Sequence, residues 1–159
     1  MTELPLEPEL KDVPAQRVLT LEHKGAYEEI GGVYRRLAAW AAERGAKIAG
    51  KGRTYFLDAP RAGIPEAARY MVCLPFEGDV AGDGEVKVQN LPAQKVYAYL
   101  HKGPYSDIPA KYAELMAWVS VQQLEVAGPP FEIYLKAPSG GASVPPEELL
   151  TEICLPVHA

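Results

Sequence analysis

The chain has 159 residues, of which 48% are hydrophobic and 23% charged, the composition of one globular domain. Its 21 acidic residues outnumber its 16 basic ones, so the net charge is −5, and the basic residues form no cluster that could displace nucleic-acid counterions. We therefore expect no direct nucleic acid binding. Because no apolar run could span a membrane and the first residues lack the features of a signal peptide, we expect no membrane association and a cytoplasmic location.

The first half of the chain is predicted to fold as ββαββ. An edge strand should start near Glu9, because Pro8 would disrupt a central strand, and a second strand should cover residues 16–24. A helix ending near Gly45 is predicted by apolar residues at helical spacing, namely Ile30, Tyr34, Leu37 and Ala41. Two further strands are predicted over 53–59 and 68–76.

The second half repeats this order after an acidic, glycine-rich connector at 77–83. Strands are predicted over 84–90, 95–102, 131–137 and 149–157, and the segment 138–146 should form an exposed, mobile loop. The helix is predicted by a second apolar stripe: Ile108, Tyr112, Leu115 and Val119. Cys73 and Cys154 each precede Leu-Pro in an apolar run, which favours buried, reduced thiols over a disulfide.

The two halves are copies of one another. Laying residues 18–60 on 96–138, an offset of 78, gives 15 identities in 43 positions, whereas unrelated sequences would give about three. The last strands match at an offset of 81, because the second copy carries three more residues before its final strand. We therefore predict one domain over 1–159, built from repeats 6–77 and 84–157, in an α+β fold with one curved antiparallel sheet, two long helices and a central cleft.

Five segments of the second copy carry a resemblance to a known family: Leu91-Pro92-Ala93, His101-Lys102-Gly103-Pro104-Tyr105, Gly128-Pro129-Pro130, Ile133-Tyr134 and the seven residues 151–157. Together they resemble the GyrI-like small-molecule-binding domain, which is the effector-binding part of AraC-type and MerR-type multidrug regulators. The resemblance implies duplicated SHS2-like modules around a cleft for hydrophobic, aromatic or cationic compounds. Such regulators carry a helix-turn-helix domain, and because this sequence shows none we expect a free-standing domain.

Glu152 is the main candidate for the charge in the cleft. It lies in the apolar run Thr-Glu-Ile-Cys-Leu-Pro-Val, where burying a carboxylate is costly, and the duplication places Met71 at the equivalent position of the first copy. One acid in a duplicated scaffold suggests a single site, although a solvent-facing edge residue is the alternative. The family resemblance implies that the recurring buried glutamate falls on Glu152.

Aromatic residues are predicted to form the walls of the cleft, because their rings suit planar ligands and hold cations. Tyr55 and Tyr134 lie in the matched third strands, one register apart, and Tyr112 lies on the apolar helix stripe, where packing in the core is an equal alternative. The remaining candidates occupy matched positions of the two copies: Tyr27 and Tyr105 at the helix entries, and Trp40 and Trp118 in the helices.

The sequence predicts neither a metal site nor a cofactor. The three histidines lack the coherent ligand spacing that zinc requires, and the glycine-rich segment 78–84 lacks the residues of a phosphate loop. Three functions stay open: binding of small molecules, hydrolysis of strained-ring (cyclopropane-bearing) compounds by Glu152 with Tyr134 or Tyr105, and inhibition of a DNA topoisomerase through protein contact. The resemblance implies the last two for some relatives.

Overall fold

The computed structural model describes residues 8–26, 29–57, 68–136 and 145–158. It contains two α-helices and nine strands, which we number in chain order. The elements are β1 (Glu9–Val13), β2 (Gln16–Gly25), α1 (Ile30–Glu43), β3 (Lys47–Ile48), β4 (Arg53–Phe56), β5 (Ala68–Glu77), β6 (Val86–Leu91), β7 (Gln94–Lys102), α2 (Ile108–Val121), β8 (Phe131–Lys136) and β9 (Leu150–Pro156). Neither helix is long and apolar enough to cross a membrane, within the residues described.

Both helices follow the predicted apolar stripes. Ile30, Leu37 and Ala41 are buried in α1, and so are all four stripe residues of α2. Gly45 adopts a positive φ of 75° directly after the last turn of α1, a conformation in which glycine avoids the strain of a Cβ atom. Pro109 stands in the first turn of α2, where its missing N–H is not needed.

The strands form one antiparallel sheet in the order β1-β7-β9-β8-β4-β5-β2-β6, and the short β3, which was not predicted, pairs with β5. The α+β class and the curled sheet are thus confirmed. The other strands agree with their predicted spans to within about two residues at each end, except that β4 ends at Phe56 and was predicted to extend to residue 59, which lies outside the described residues. The predicted loop 138–146 falls largely outside the described residues.

The first strand of each repeat pairs with the opposite repeat. Strand β1 pairs with β7, and β6 pairs with β2, in registers that obey the offset of 78: Val13 faces Gln94, and Gln16 faces Leu91. The sequence made no prediction of this pairing, because alternation within a strand does not specify which strand lies beside it. The exchange brings the repeats together at both edges of the sheet.

The sheet has two buried faces. The helix-side face packs on α1 and α2 through residues such as Leu19, Phe56 and Ile153. The opposite face, which we call the half-barrel face, is a smaller core that contains Val18, Val96, Phe131, Cys73 and Cys154. Both thiols are free and buried, and burial raises the pKa of Cys73 to about 12.

Candidate functional site

The two repeats meet at the β4–β8 strand pair, where Thr54 faces Glu132 and Arg53 faces Ile133. Residues 54 and 132 differ by 78, so they are equivalent positions, and the pseudo-two-fold axis passes between them. One copy has a threonine here and the other has a glutamate. The single acid at the centre of the duplicated scaffold is therefore Glu132.

Glu132 is fully buried, with none of its surface exposed. Its neighbour on β9 is Ile153, which belongs to the helix-side core, so Glu132 lies on the helix-side face. Placing a carboxylate at this depth is costly, because the protein interior screens and solvates charge far less than water does. Such a cost is typical of positions kept for binding or catalysis.

Tyrosines surround Glu132. Burial raises the pKa values of Tyr34, Tyr105 and Tyr112, and the negative charge of Glu132 acts in the same direction on all three. The hydroxyl of Tyr134 donates to Thr54 Oγ1 at 2.9 Å, directly beside Glu132 in the register. The phenols of Tyr34, Tyr105 and Tyr112 therefore remain neutral near neutral pH, and the hydroxyls of Tyr34 and Tyr134 donate to Arg53 O and Thr54 Oγ1.

The tyrosine rings pack across the repeat boundary in a symmetric way. Tyr34 meets Tyr134 edge-to-face at 5.4 Å, and Tyr112 meets Phe56 with the same distance between ring centroids. These two pairs are exchanged by the offset of 78. Tyr105 adds a further edge-to-face contact with Tyr134 at 6.0 Å, so Tyr134 stands between two other tyrosine rings.

One further polar residue joins this group. Thr151 is fully buried and pairs with Tyr134 in the β8–β9 register, and its Oγ1 atom has no hydrogen-bond partner within the described residues. We name the set Glu132, Tyr34, Tyr105, Tyr112, Tyr134, Thr54 and Thr151 the tyrosine cluster.

Glu152 is placed elsewhere. The register reproduces its equivalence with Met71: Met71 pairs with Glu22 and Tyr55, and Glu152 pairs with Leu100 and Ile133. Its side chain shares the half-barrel face with Cys154, is 13% exposed, and forms an ion pair with Lys11 Nζ at 2.7 Å. Glu152 is thus not brought together with the tyrosine cluster.

The first copy shows what replaces this ion pair. Gln89 is the counterpart of Lys11, and its Nε2 atom lies 3.7 Å from Met71 Sδ, the counterpart of Glu152. The difference between Glu152 and Met71 therefore goes together with a difference in the strand that docks against each.

The predicted aromatic residues do not all lie in one place. Tyr105, Tyr112 and Tyr134 belong to the tyrosine cluster, whereas Tyr55 stacks on Phe131 on the half-barrel face. Trp40 packs under Arg44 and Trp118 packs against Tyr97, and both indole rings are half-buried. Tyr27 lies outside the described residues.

Sequence reasoning missed Glu132, Tyr34 as a cluster member, and Thr151. A signal for Glu132 was present. Strand alternation places Glu132 on the same face as Tyr134, and the ungapped alignment of the two copies matches Glu132 with Thr54. The buried charge was instead assigned to β9. Both faces of that strand are buried, so alternation of polar and apolar residues does not show which face Glu152 takes. Met71, Tyr55 and Glu152 share the half-barrel face.

The whole-chain comparison agrees with this architecture. The family model described as the GyrI-like small molecule binding domain matches residues 6–158. The chain belongs to this family. A GyrI-like domain is a small-molecule-binding domain, and the resemblance found in the sequence is confirmed. No curated protein sequence matches the chain.

Solved structures show the same fold. The C-terminal domain of EcmrR superposes with a TM-score of 0.85 at 19% identity, covering 98% of this chain and 99% of that one. The EcmrR chain in a DNA complex matches with a TM-score of 0.83 at 21% identity. This match covers 95% of the present chain but only 57% of the EcmrR chain. SAV2435 bound to tetraphenylphosphonium matches at 0.61 with 17% identity, covering 96% and 94% of the two chains.

Proposed function

We propose that this GyrI-like domain binds lipophilic cations at the tyrosine cluster, with Glu132 as the charge that attracts them. The observation that carries the proposal is a completely buried carboxylate ringed by tyrosines at the axis between the repeats. We choose Glu132 over the sequence-based candidate Glu152, because Glu152 lies on the other face of the sheet and forms an ion pair with Lys11.

The chemistry of the cluster suits an aromatic cation. A buried carboxylate attracts a positive charge more strongly than an exposed one, because little water screens it. Tyrosine rings hold a cation over their faces and offer flat apolar area to aromatic groups. That SAV2435, which shares the fold, was solved with tetraphenylphosphonium supports the choice of this compound as a probe.

Entry of such a ligand requires rearrangement of the cluster. Tyr34 and Tyr112 fill the space beneath the helices, and Tyr34 is fixed by a hydrogen bond of 2.5 Å to the carbonyl oxygen of Arg53. Two open pockets of about 340 and 420 Å³ lie at other places on the surface. We expect the rings of the tyrosine cluster to turn aside when a cation binds.

Calorimetry with a charged and an uncharged ligand of similar shape tests this proposal. Tetraphenylphosphonium should bind the wild-type protein at least about tenfold more tightly than neutral triphenylphosphine oxide, because only the cation gains from the carboxylate. Equal affinities for the two compounds would show that Glu132 does not select for charge.

A second candidate function uses the same residues for hydrolysis. The pKa of Tyr105 is raised by burial and by Glu132, so its hydroxyl stays protonated and available as a proton donor. In that reaction Glu132 would take a proton from a water molecule as the water oxygen attacks a ring carbon, a ring C–C bond would break, and the Tyr105 hydroxyl would protonate the carbon released. Product formation from a cyclopropane-bearing compound, lost in Glu132→Gln, is the expected result. Unchanged turnover in that variant would contradict hydrolysis by Glu132.

Inhibition of a topoisomerase stays a prediction, which a pull-down experiment would test.

A further inference from the structure

The half-barrel face contains a buried arginine at the start of β4. Arg53 is only 5% exposed, and its guanidinium carbon lies 5.8 Å from the centre of the Phe131 ring. Its Nη1 atom donates to the Tyr55 hydroxyl at 3.3 Å. Phe131 is the equivalent residue of the second copy, so the fold accepts an uncharged side chain at this position.

Arg53 forms no ion pair with any carboxylate in the part of the chain that the structure describes. Glu152 stands in the same row of the sheet, but Ile133 lies between the two residues and the Glu152 carboxylate is engaged by Lys11. A guanidinium has five N–H donors and does not lose its charge in proteins. Burial of such a group without a direct ion pair is unfavourable.

A polar path leads from Arg53 to the surface. The Tyr55 hydroxyl accepts from Arg53 and lies 3.5 Å from Gln94 Oε1. Gln94 lines the open pocket of about 340 Å³, beside the turns that join β1 to β2 and β6 to β7. Lys95 and Asp12 line the same pocket and form an ion pair there, with Lys95 Nζ 3.9 Å from Asp12 Oδ1.

We infer that the half-barrel face binds a short monocarboxylate, with its two oxygen atoms on the Arg53 guanidinium. The Tyr55 hydroxyl, which otherwise donates to Gln94 Oε1 at 3.5 Å, turns to the ligand as a second donor. One buried positive charge matches one negative charge, and a planar guanidinium fits a carboxylate through two parallel hydrogen bonds. Apolar residues such as Phe131 surround the group and favour an acid with a small apolar tail over a phosphate dianion. The inference does not depend on the proposed function, because the tyrosine cluster occupies the other face.

Titration with sodium acetate tests the inference on the wild-type protein. The side-chain Nε–Hε signal of Arg53 should shift saturably with acetate and not with sodium chloride at the same ionic strength. Arg53→Met should abolish the acetate-dependent rise in melting temperature, and Tyr55→Phe should weaken acetate binding several-fold. Arg17→Met is the matched control, because it removes an exposed arginine with the same change in net charge and should leave the effect intact.

Three results would overturn the inference. The first is a wild-type Arg53 signal that responds equally to acetate and chloride. The second is an acetate effect of equal size in Arg17→Met and Arg53→Met. The third is phosphate acting on Arg53 as strongly as acetate, which would indicate an unselective anion site. The NMR titration needs no variant, so poor folding of Arg53→Met would not prevent a decision.

Discussion

Thr54 and Glu132 face each other across the β4–β8 pair at positions that the internal duplication makes equivalent. A carboxylate on a pseudo-two-fold axis needs only one copy, because a second one would place two negative charges side by side in the core. The threonine opposite supplies a neutral acceptor for the Tyr134 hydroxyl instead. The asymmetry of the site thus follows from its place on the axis.

Removing the Tyr134 hydroxyl should destabilise the fold modestly. Tyr134→Phe leaves Thr54 Oγ1 without its 2.9 Å donor in the buried centre of the sheet, so we expect a loss of about 1 kcal/mol in the free energy of unfolding. Urea denaturation measures this loss. Tyr97→Phe serves as a control that should change stability by less, because Tyr97 is equally half-buried and its hydroxyl makes no hydrogen bond within the described residues. Equal losses in both variants would contradict the role of the Tyr134–Thr54 hydrogen bond.

Gly52 is expected to tolerate no side chain. A Cβ atom at this position would stand 2.6 Å from Tyr34 Cε1 and 2.8 Å from the Tyr34 hydroxyl. Gly52→Ala should therefore displace Tyr34, break its hydrogen bond to Arg53 O and cost about 1–3 kcal/mol. Thermal or urea unfolding would measure the cost.

A second glycine provides the control for that variant. Gly31 lies in α1, where a Cβ atom would meet only Arg35 at 3.6 Å. Gly31→Ala should stabilise the protein by up to about 1 kcal/mol, because alanine has the higher helix propensity. If Gly52→Ala were as stable as Gly31→Ala, the close packing of Tyr34 on Gly52 would be refuted.

The Lys11–Glu152 ion pair should behave as a coupled pair that holds β1. Because Lys11 is 44% exposed, we expect Lys11→Gln or Glu152→Met alone to cost only about 0.5–1 kcal/mol. The double variant reproduces the Gln89–Met71 contact of the first copy and should cost no more than either single change. Additive losses in a urea double-mutant cycle would show that the two side chains act independently.

The same ion pair predicts a dependence of stability on alkaline pH. Hydrogen bonding and charge attraction to Glu152 raise the pKa of Lys11 above its usual 10.5. A raised pKa means that the folded state binds this proton more tightly, so the stabilisation is complete below about pH 10.5 and is lost as the pH rises through the folded pKa. The stability difference between wild type and Lys11→Gln should stay constant up to about pH 9.5 and shrink above about pH 10.5. A difference that persists unchanged at pH 11.5 would argue against the ion pair.

Much of this fold could be predicted because the duplication and the periodicity agree. The helix stripes at Ile30 and Ile108 and most strands were found from spacing alone. The exchange of β1 and β6 could not be found, because alternation specifies which face a residue takes but not which strand lies beside it. Glu152 was chosen over Glu132 because both faces of β9 are buried, so alternation there does not distinguish the face that holds the tyrosines. Alternation in β8 does place Glu132 on the same face as Tyr134, and that signal was not used.

The affinity of tetraphenylphosphonium for two matched variants tests the central claim most directly. Glu132→Gln and Glu152→Gln make the same chemical change on opposite faces of one sheet. Calorimetry should find the cation bound at least about tenfold more weakly by Glu132→Gln, and within about twofold of wild type by Glu152→Gln. Equal affinities in the two variants, or a larger loss in Glu152→Gln, would contradict the assignment of Glu132 as the cation-binding residue.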